Sequence, residues 1–548
     1  MLLNKKKTYE DVYRSFEWQI PEYYNMGVDV CDKHAHQRYR LALIYEDESG
    51  QVEKYTFWRL KRLSNQFANA LKAFGFGAGD RMGILLPQCP ETGISHIAVY
   101  KIGGIAIPLF TLFGVDALEY RLINSEAKCI VTNGENLHKV LKIWDRLPHL
   151  KHVFVTRGKK EEKVIGFWEA IEKGAIDFNP VKTRANDPAL LAYTSGTTGP
   201  PKGTLHAHRM LLGHIPGIEF PHNFFPKEDD CFWTPADWAW LGGLTDVLLP
   251  SWHHGIPVVA FRAKKFDPEY AFHLMAKHGV RNTFIPPTAL KLMRQVKGLT
   301  KRHHYQMRTI ASGGETLGKE LLEWGRETFG ITINEFYGQT EVNLVVGNCA
   351  EIMEVRPGSM GKAIPGHVVE IVDDDGNVLP PDKTGNVAIK RPNPVMFLEY
   401  WRNPEATRSK YIGDWCLTGD LAKKDSDGYF WFVGREDDLI TSSGYRIGPG
   451  EIEDCLIKHP AVAMAAVIGV PDEVRTEIVK AFIIPTPDAM LDNDLIQDIQ
   501  DFVRNRLAAH EYPRVVEFVK ELPLTATGKI IRKDLRKAER EKQKRDFS

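Results

Sequence analysis

The chain has 548 residues, 43% of them hydrophobic, with 71 basic and 71 acidic side chains in balance. That length supports a large core and more than one domain, and the balance removes any global field toward nucleic acid or anionic lipid. Seven cysteines, at positions 31, 89, 129, 231, 349, 416 and 455, are scattered without a C-x-x-C pair, a pattern against zinc and disulfide frameworks and in favour of a reducing compartment.

The opening Met1-Leu-Leu-Asn-Lys-Lys-Lys lacks the apolar core of a signal peptide, and the acidic residues that follow argue against a transit peptide. No run of about 18 apolar residues is present, so a soluble, cytoplasmic protein is expected. Thr56 is placed to cap a helix whose apolar residues Leu60, Leu63, Phe67, Leu71 and Phe74 recur at helical spacing. Strand-like Met82 to Leu86, helical Pro90 to Lys101, and strand-like Ile105 to Leu109, Ala127 to Thr132 and His152 to Thr156 follow. This alternation predicts βαβ units on a largely parallel sheet. Gly75-Phe-Gly77-Ala-Gly79 lies between a helix and a strand, the reverse of a dinucleotide fingerprint, and reads as a turn.

Tyr193-Thr-Ser-Gly-Thr-Thr-Gly-Pro-Pro-Lys-Gly-Thr204 gathers hydroxyls, glycines and Lys202 directly after an apolar run. Such a loop lets main-chain N–H groups converge on phosphate, with hydroxyl donors and a point charge beside them. A Walker loop places lysine after the second glycine, whereas here Lys202 precedes Gly203, so that reading fails on spacing.

Downstream, Pro235-Ala-Asp-Trp-Ala-Trp-Leu-Gly-Gly243 reads equally as core or as pocket wall. The pairs His34/His36, His206/His208, His253/His254 and His303/His304 lack the helical spacing and third ligand of a zinc site. Ala311-Ser-Gly-Gly-Glu-Thr-Leu317 brings backbone close to a ligand. Asn334-Glu-Phe-Tyr-Gly-Gln-Thr-Glu341 supplies an aromatic face, a hydroxyl and a carboxylate, the parts that a magnesium-bearing nucleotide needs.

From Gly366 to Pro392 the pattern turns β-rich, with Val369 to Val372 and Asn386 to Lys390 flanking the turn Asp373-Asp-Asp-Gly376. Beyond Arg435 to Asp438 a separate α+β pattern begins: Ala461 to Val470 and Val479 to Ile484 as strands, Asp494 to Leu507 as a helix, and a basic helical tail, Lys533 to Arg545, that reads as a solvated face.

Together the phosphate loop, Glu335 to Glu341, Leu417-Thr-Gly-Asp420, Gly434-Arg435 with Asp437, Gly444-Tyr-Arg446 and Thr527-Gly-Lys529 resemble the AMP-forming acyl-CoA synthetases and their adenylating relatives, in order and spacing, from about residue 40 to 540. The resemblance implies an α/β fold: a large N-terminal domain of βαβ units plus a small β-barrel-like part, residues 1–435, and a small mobile α+β lid, residues 436–548. It implies activation of a carboxylate by ATP to acyl-adenylate and pyrophosphate, then transfer to coenzyme A with loss of AMP. Thr194, Ser195, Gly196, Thr197, Thr198, Gly199 and Lys202 would hold the β- and γ-phosphates. Gly314, Glu315 and Tyr337 would enclose adenine. Gln339 belongs to the same nucleotide site, Thr340 would contact the α-phosphate and Glu341 the Mg2+. Asp420 and Arg435 would bind ribose, Arg446 would reach phosphate, and Asp437 would be the hinge. Lys529 would bridge carboxylate and α-phosphate during adenylation only, and Ser443 and Gly444 would line the coenzyme A tunnel.

In that family the acyl pocket is shaped by the segment matching Trp240-Leu241-Gly242 and by the residue before Gln339, here Gly338. The glycines at 242 and 338 lead to the expectation of a pocket deeper than acetate needs, for a medium-chain or small aromatic acid, with Trp238 or Trp240 as its wall. The opposite reading, another side chain filling the space, stays open. So do two other functions: a stand-alone adenylation enzyme loading a carrier protein, and a non-catalytic adenylate sensor, against which Lys529 and Glu341 both speak. The Lys529 context also resembles that of acetylated lysines, which implies a lysine acetyltransferase and deacetylase as partners.

Overall fold

Strands at the centre of the N-terminal unit are apolar on both faces, and that decides their place. Ile105–Pro108 and Cys129–Thr132 are buried along their whole length, as strands of a covered parallel sheet must be. The computed structural model of the chain describes residues 1–158, 163–194, 201–262, 265–298, 304–435, 438, 440–442, 445–472, 476–507, 512–525 and 529–546. These residues separate into two compact units. One comprises 1–357, 361–368 and 390–414; the other comprises 358–360, 369–389 and the chain from 415 onward. The second unit therefore takes in β-rich segments that precede the expected break at 435/436, because Trp415–Lys424 pairs antiparallel with Phe430–Arg435 and Val369–Val372 with Gly385–Lys390.

The first unit is built on two sheets, of nine and eight strands among the described residues. In the eight-stranded sheet Arg81–Leu85 pairs parallel with both Ile105–Pro108 and Cys129–Thr132, and His152–Val155 extends the run. The helix expected after Thr56 runs Phe57–Ala73, and the Thr56 hydroxyl accepts from the N–H of Arg59 as its cap. Its end at Gly75 closes with the Phe76 N–H donating to the Leu71 carbonyl, the turn read from the glycines. Helix Pro90–Ile102 is buried at every position, so it lies within the core rather than on the surface. Its Lys101 is fully buried yet 2.6 Å from Asp32 and bonded to Ser64 and Asn65, the pairing that a buried ammonium requires.

In the nine-stranded sheet Asn282–Phe284, Thr309–Gly313 and Asn334–Gln339 are successive parallel neighbours. The second unit holds a sheet of Val462–Asp472 paired antiparallel with Thr476–Pro485, against which Val515–Phe518 lies parallel, with helices Asn493–Arg504 and Arg532–Asp546. No described helix is long and apolar enough to cross a membrane.

Candidate functional site

The expected phosphate loop lies between two strands of a β-hairpin. Pro188–Thr194 and Lys202–Ala207 pair antiparallel up to Thr194 opposite Lys202, and the loop joins their tips. Residues Ser195, Gly196, Thr197, Thr198 and Gly199 lie outside the described residues; the two ends do not. Thr194 Oγ1 donates to the Lys202 carbonyl at 3.4 Å, and the Tyr120 hydroxyl donates to the Pro201 carbonyl at 2.9 Å. The ammonium of Lys202 lies 5.2 Å from the ring centre of Tyr400.

Tyr400 was not singled out in the sequence. It belongs to the short strand Glu399–Tyr400, paired opposite Thr204 and Leu205, and its hydroxyl donates to the carboxylate of Glu341. Glu341 is buried, at 7% exposure, so that hydrogen bond holds a charge that water does not reach freely. One tyrosine thus touches both the expected phosphate lysine and the expected magnesium carboxylate. Among the described residues no three His, Cys, Asp or Glu side chains cluster to hold a metal. A single oriented carboxylate fits an ion whose remaining ligands are phosphate oxygens and water, the ordinary condition of magnesium on a nucleotide.

Gly314 and Tyr337 stand just past the last paired residues of two adjacent parallel strands, since Gly313 is opposite Phe336. Ligands of open α/β sheets bind at such strand ends. Gly314 has φ +96°, a conformation suited to glycine, and the Thr288 hydroxyl donates to the Glu315 carboxylate at 2.9 Å. Gln339 accepts from Lys410 at 3.3 Å. The ring of His206 meets the Thr340 backbone, and complete burial pushes its pKa down to about 3. Burial favours the neutral form of this ring, beside Thr340. The pairing His206/His208 gave no hint of this placement.

A shallow, open recess is lined by Pro108, Phe110, Phe113, Ala192, Tyr193, Ala239, Trp240, Leu241 and Thr340. It brings together three expected residues, Trp240, Leu241 and Thr340, with the strand that enters the phosphate loop. Trp240 packs on Phe284 with ring centres 5.5 Å apart, whereas Trp238 is fully buried. Of the two indoles, only Trp240 is a wall. The depth argument from glycine needs correction. A Cβ on Gly338 would stand 1.7 Å from the Asn343 carbonyl oxygen, and one on Gly242 would stand 2.8 Å from the Trp240 ring and 2.9 Å from Phe284. Backbone and aromatic rings already occupy the space beside both glycines, because the strand pair bulges at Tyr337/Gly338. Neither glycine opens the recess.

In the second unit Asp420 and Arg435 face each other across an antiparallel pair, with Oδ1 4.0 Å from the guanidinium. The Asp420 N–H donates to the Thr418 hydroxyl, which donates to the Val387 carbonyl. Lys529 is exposed; its N–H donates to the Thr525 hydroxyl at 3.0 Å and its carbonyl accepts from the Thr525 N–H at 2.7 Å. Arg446 sits opposite Thr441 in a strand pair. Asp437, Ser443 and Gly444 lie outside the described residues.

Comparison with known proteins identifies the family. The family described as AMP-binding enzyme matches residues 31–401, and its C-terminal domain matches residues 451–529. The acetyl-coenzyme A synthetase of Bacillus subtilis (strain 168) is 38% identical, over 97% of this chain and 95% of that protein. The mitochondrial acyl-coenzyme A synthetase ACSM3 of Rattus norvegicus is 34% identical, over 97% of this chain and 93% of its own length. The crystal structure of the anthranilate CoA ligase AuaEII in complex with anthranoyl-AMP superposes with a TM-score of 0.87 at 31% identity, covering 95% of this chain and 98% of that one. The chain belongs to the AMP-binding enzymes, among the AMP-forming acyl-CoA synthetases.

Proposed function

We propose that the protein converts a small aromatic or medium-chain carboxylic acid to its coenzyme A thioester in two steps. An acid oxygen attacks the α-phosphorus of ATP, and the bond to the bridging oxygen of pyrophosphate breaks. The coenzyme A sulfur then attacks the acyl carbon, AMP leaves, and the thiol proton goes to solvent. Neither step needs a protein nucleophile, so catalysis rests on positioning and on stabilising charge.

The observation that carries this reading is the recess in which Trp240 and Leu241 face Tyr193 and Thr340. It sets an apolar wall against the strand leading to the phosphate loop, as an acid awaiting the α-phosphate requires. Thr194 and Lys202, with the loop between them, take the β- and γ-phosphates. Thr340 takes the α-phosphate, Gly314, Glu315 and Tyr337 take adenine, and Asp420 with Arg435 takes ribose. Glu341 would hold magnesium, which offsets phosphate charge. Lys529 acts in adenylation alone, and the chain turns about Asp437, with residues 1–435 as the body and 436–548 as the lid. Arg446 reaches phosphate, while Ser443 and Gly444 line the path of the thiol.

Phe110, Phe113, Tyr193 and Trp240 give the recess an aromatic lining, which favours a ring-bearing acid, in keeping with the anthranilate ligase likeness. Acetate is the second reading, supported by the Bacillus relative. Acid-dependent ATP–pyrophosphate exchange with acetate, hexanoate, octanoate, benzoate and anthranilate decides between them. Far higher efficiency with acetate would overturn the aromatic or medium-chain assignment, and no exchange with any acid would overturn the reaction. The use of ATP and coenzyme A suits a cytoplasmic location. Lys529 is also a candidate for an acetyltransferase, since neutralising its ammonium would stop adenylation; Lys529 found unmodified by mass spectrometry in acetylase-rich extracts would oppose this.

A further inference from the structure

Four charged side chains of the second unit meet beside the expected hinge. Asp438, the residue after Asp437, is 8% exposed, as is Glu453. Arg532 donates to both: its Nη2 to Glu453 Oε2 at 2.6 Å and its Nη1 to Asp438 Oδ2 at 3.4 Å. Arg536, one turn farther along helix Arg532–Asp546, donates to Asp438 Oδ1 at 2.6 Å. Glu453 Oε1 also accepts from the Val467 N–H at 2.7 Å, which joins the cluster to the sheet strand Val462–Asp472. Two carboxylates and two guanidinium groups therefore close on one another with both oxygens of each acid engaged.

Arg532 is also the third residue after Lys529, and the chain between them is tied down. The Thr525 N–H donates to the Lys529 carbonyl and the Ile531 N–H to the Pro523 carbonyl, while Leu524 and Ile530 form an antiparallel bridge. Lys529 and the two residues after it are thus held against Pro523 to Thr525, and the chain then runs directly to the arginine that grips Asp438. Planar, forked guanidinium contacts fix orientation as well as distance, which an ammonium does not.

We propose that Asp438, Glu453, Arg532 and Arg536 are positioning residues that lock the Lys529 loop to the residue beside the hinge, so that Lys529 travels with the hinge as one body. Resting on the reading of Lys529 as the adenylation lysine, this makes the cluster part of the first half-reaction. A loosened loop leaves Lys529 on a longer, softer tether, and misplacement by about 1 Å can cost about 100-fold in rate. The second half-reaction does not use Lys529 and does not need the lock.

The test measures both half-reactions on full-length protein carrying Asp438→Asn, Arg532→Lys or Arg536→Met, with thermal melting as a control. ATP–pyrophosphate exchange is expected to fall roughly 10- to 100-fold in Asp438→Asn and Arg532→Lys. Thioester formation from supplied acyl-adenylate and coenzyme A is expected to change by less than about threefold. A purely structural cluster would lower both activities in proportion to the folded fraction, and that result overturns the proposal, as does unchanged exchange. If Asp438→Asn does not fold, Arg536→Met removes one of its two arginines and gives the same comparison. Lys529→Ala, run alongside, separates the two levels: retained exchange there refutes the lysine assignment itself, whatever the cluster variants do.

Discussion

The hydroxyl of Tyr400 donates to the carboxylate of Glu341, across 59 residues of sequence, and the ring of the same tyrosine lies under Lys202. Losing the hydroxyl leaves a buried acid one hydrogen bond short, at a cost of about 1–3 kcal/mol. Tyr400→Phe keeps the ring under Lys202 and removes only the donor. Exchange measured against magnesium concentration should show a raised requirement for the ion and a rate down by about tenfold. An unchanged magnesium dependence would show that Tyr400 only packs.

Lys529 is exposed, and its backbone N–H and carbonyl are both bonded to Thr525. As a substitution at an exposed position, Lys529→Ala should leave the free energy of unfolding within about 0.5 kcal/mol of the parent. Exchange should drop by about 100-fold or more, the scale for removing one charge-stabilising donor, while thioester formation from supplied adenylate persists. Equal loss in both assays would refute separate roles in the two half-reactions.

Gly338 gives a prediction of the opposite kind from a pocket-lining residue. With the Asn343 carbonyl 1.7 Å from where a Cβ would stand, Gly338→Ala forces backbone apart and should destabilise by about 1–3 kcal/mol. The change should reduce activity on all acids together. A shift in preference toward acetate with unchanged stability would mean that the side chain does enter the recess.

Asp237 supplies a pH signature. Burial pushes its pKa up to about 6, against the pull of the Ala239 N–H bond and of Arg262. A carboxyl with a raised folded pKa contributes stability that is fully present below about pH 4 and lost as pH rises through 6. Asp237→Asn keeps an oxygen for the Ala239 N–H, which lies 2.8 Å from Oδ1, and removes the charge. Because the residue retains some exposure, the gain is discounted to at most about 2 kcal/mol at pH 7.5, with none at pH 4. Chemical denaturation at the two pH values checks it; a variant equally destabilised at both would contradict the assignment.

Much of the molecule was legible from residues close together in the chain. Thr56 capping Phe57–Ala73, the Asp373 to Gly376 turn and the strand Val369–Val372 all fell where periodicity and turn chemistry put them, since each depends on neighbours a few residues away. Six motifs in order were enough to reach the family and its reaction. What they touch was not readable. Tyr400 on Glu341, His206 under Thr340, Arg532 on Asp438, Trp238 in the core while Trp240 faces the recess, and Asn343 closing the space beside Gly338 all join segments distant in sequence. Those contacts depend on which strand lies beside which and where a ladder bulges. That choice is made by packing of the whole chain, and no local pattern encodes it.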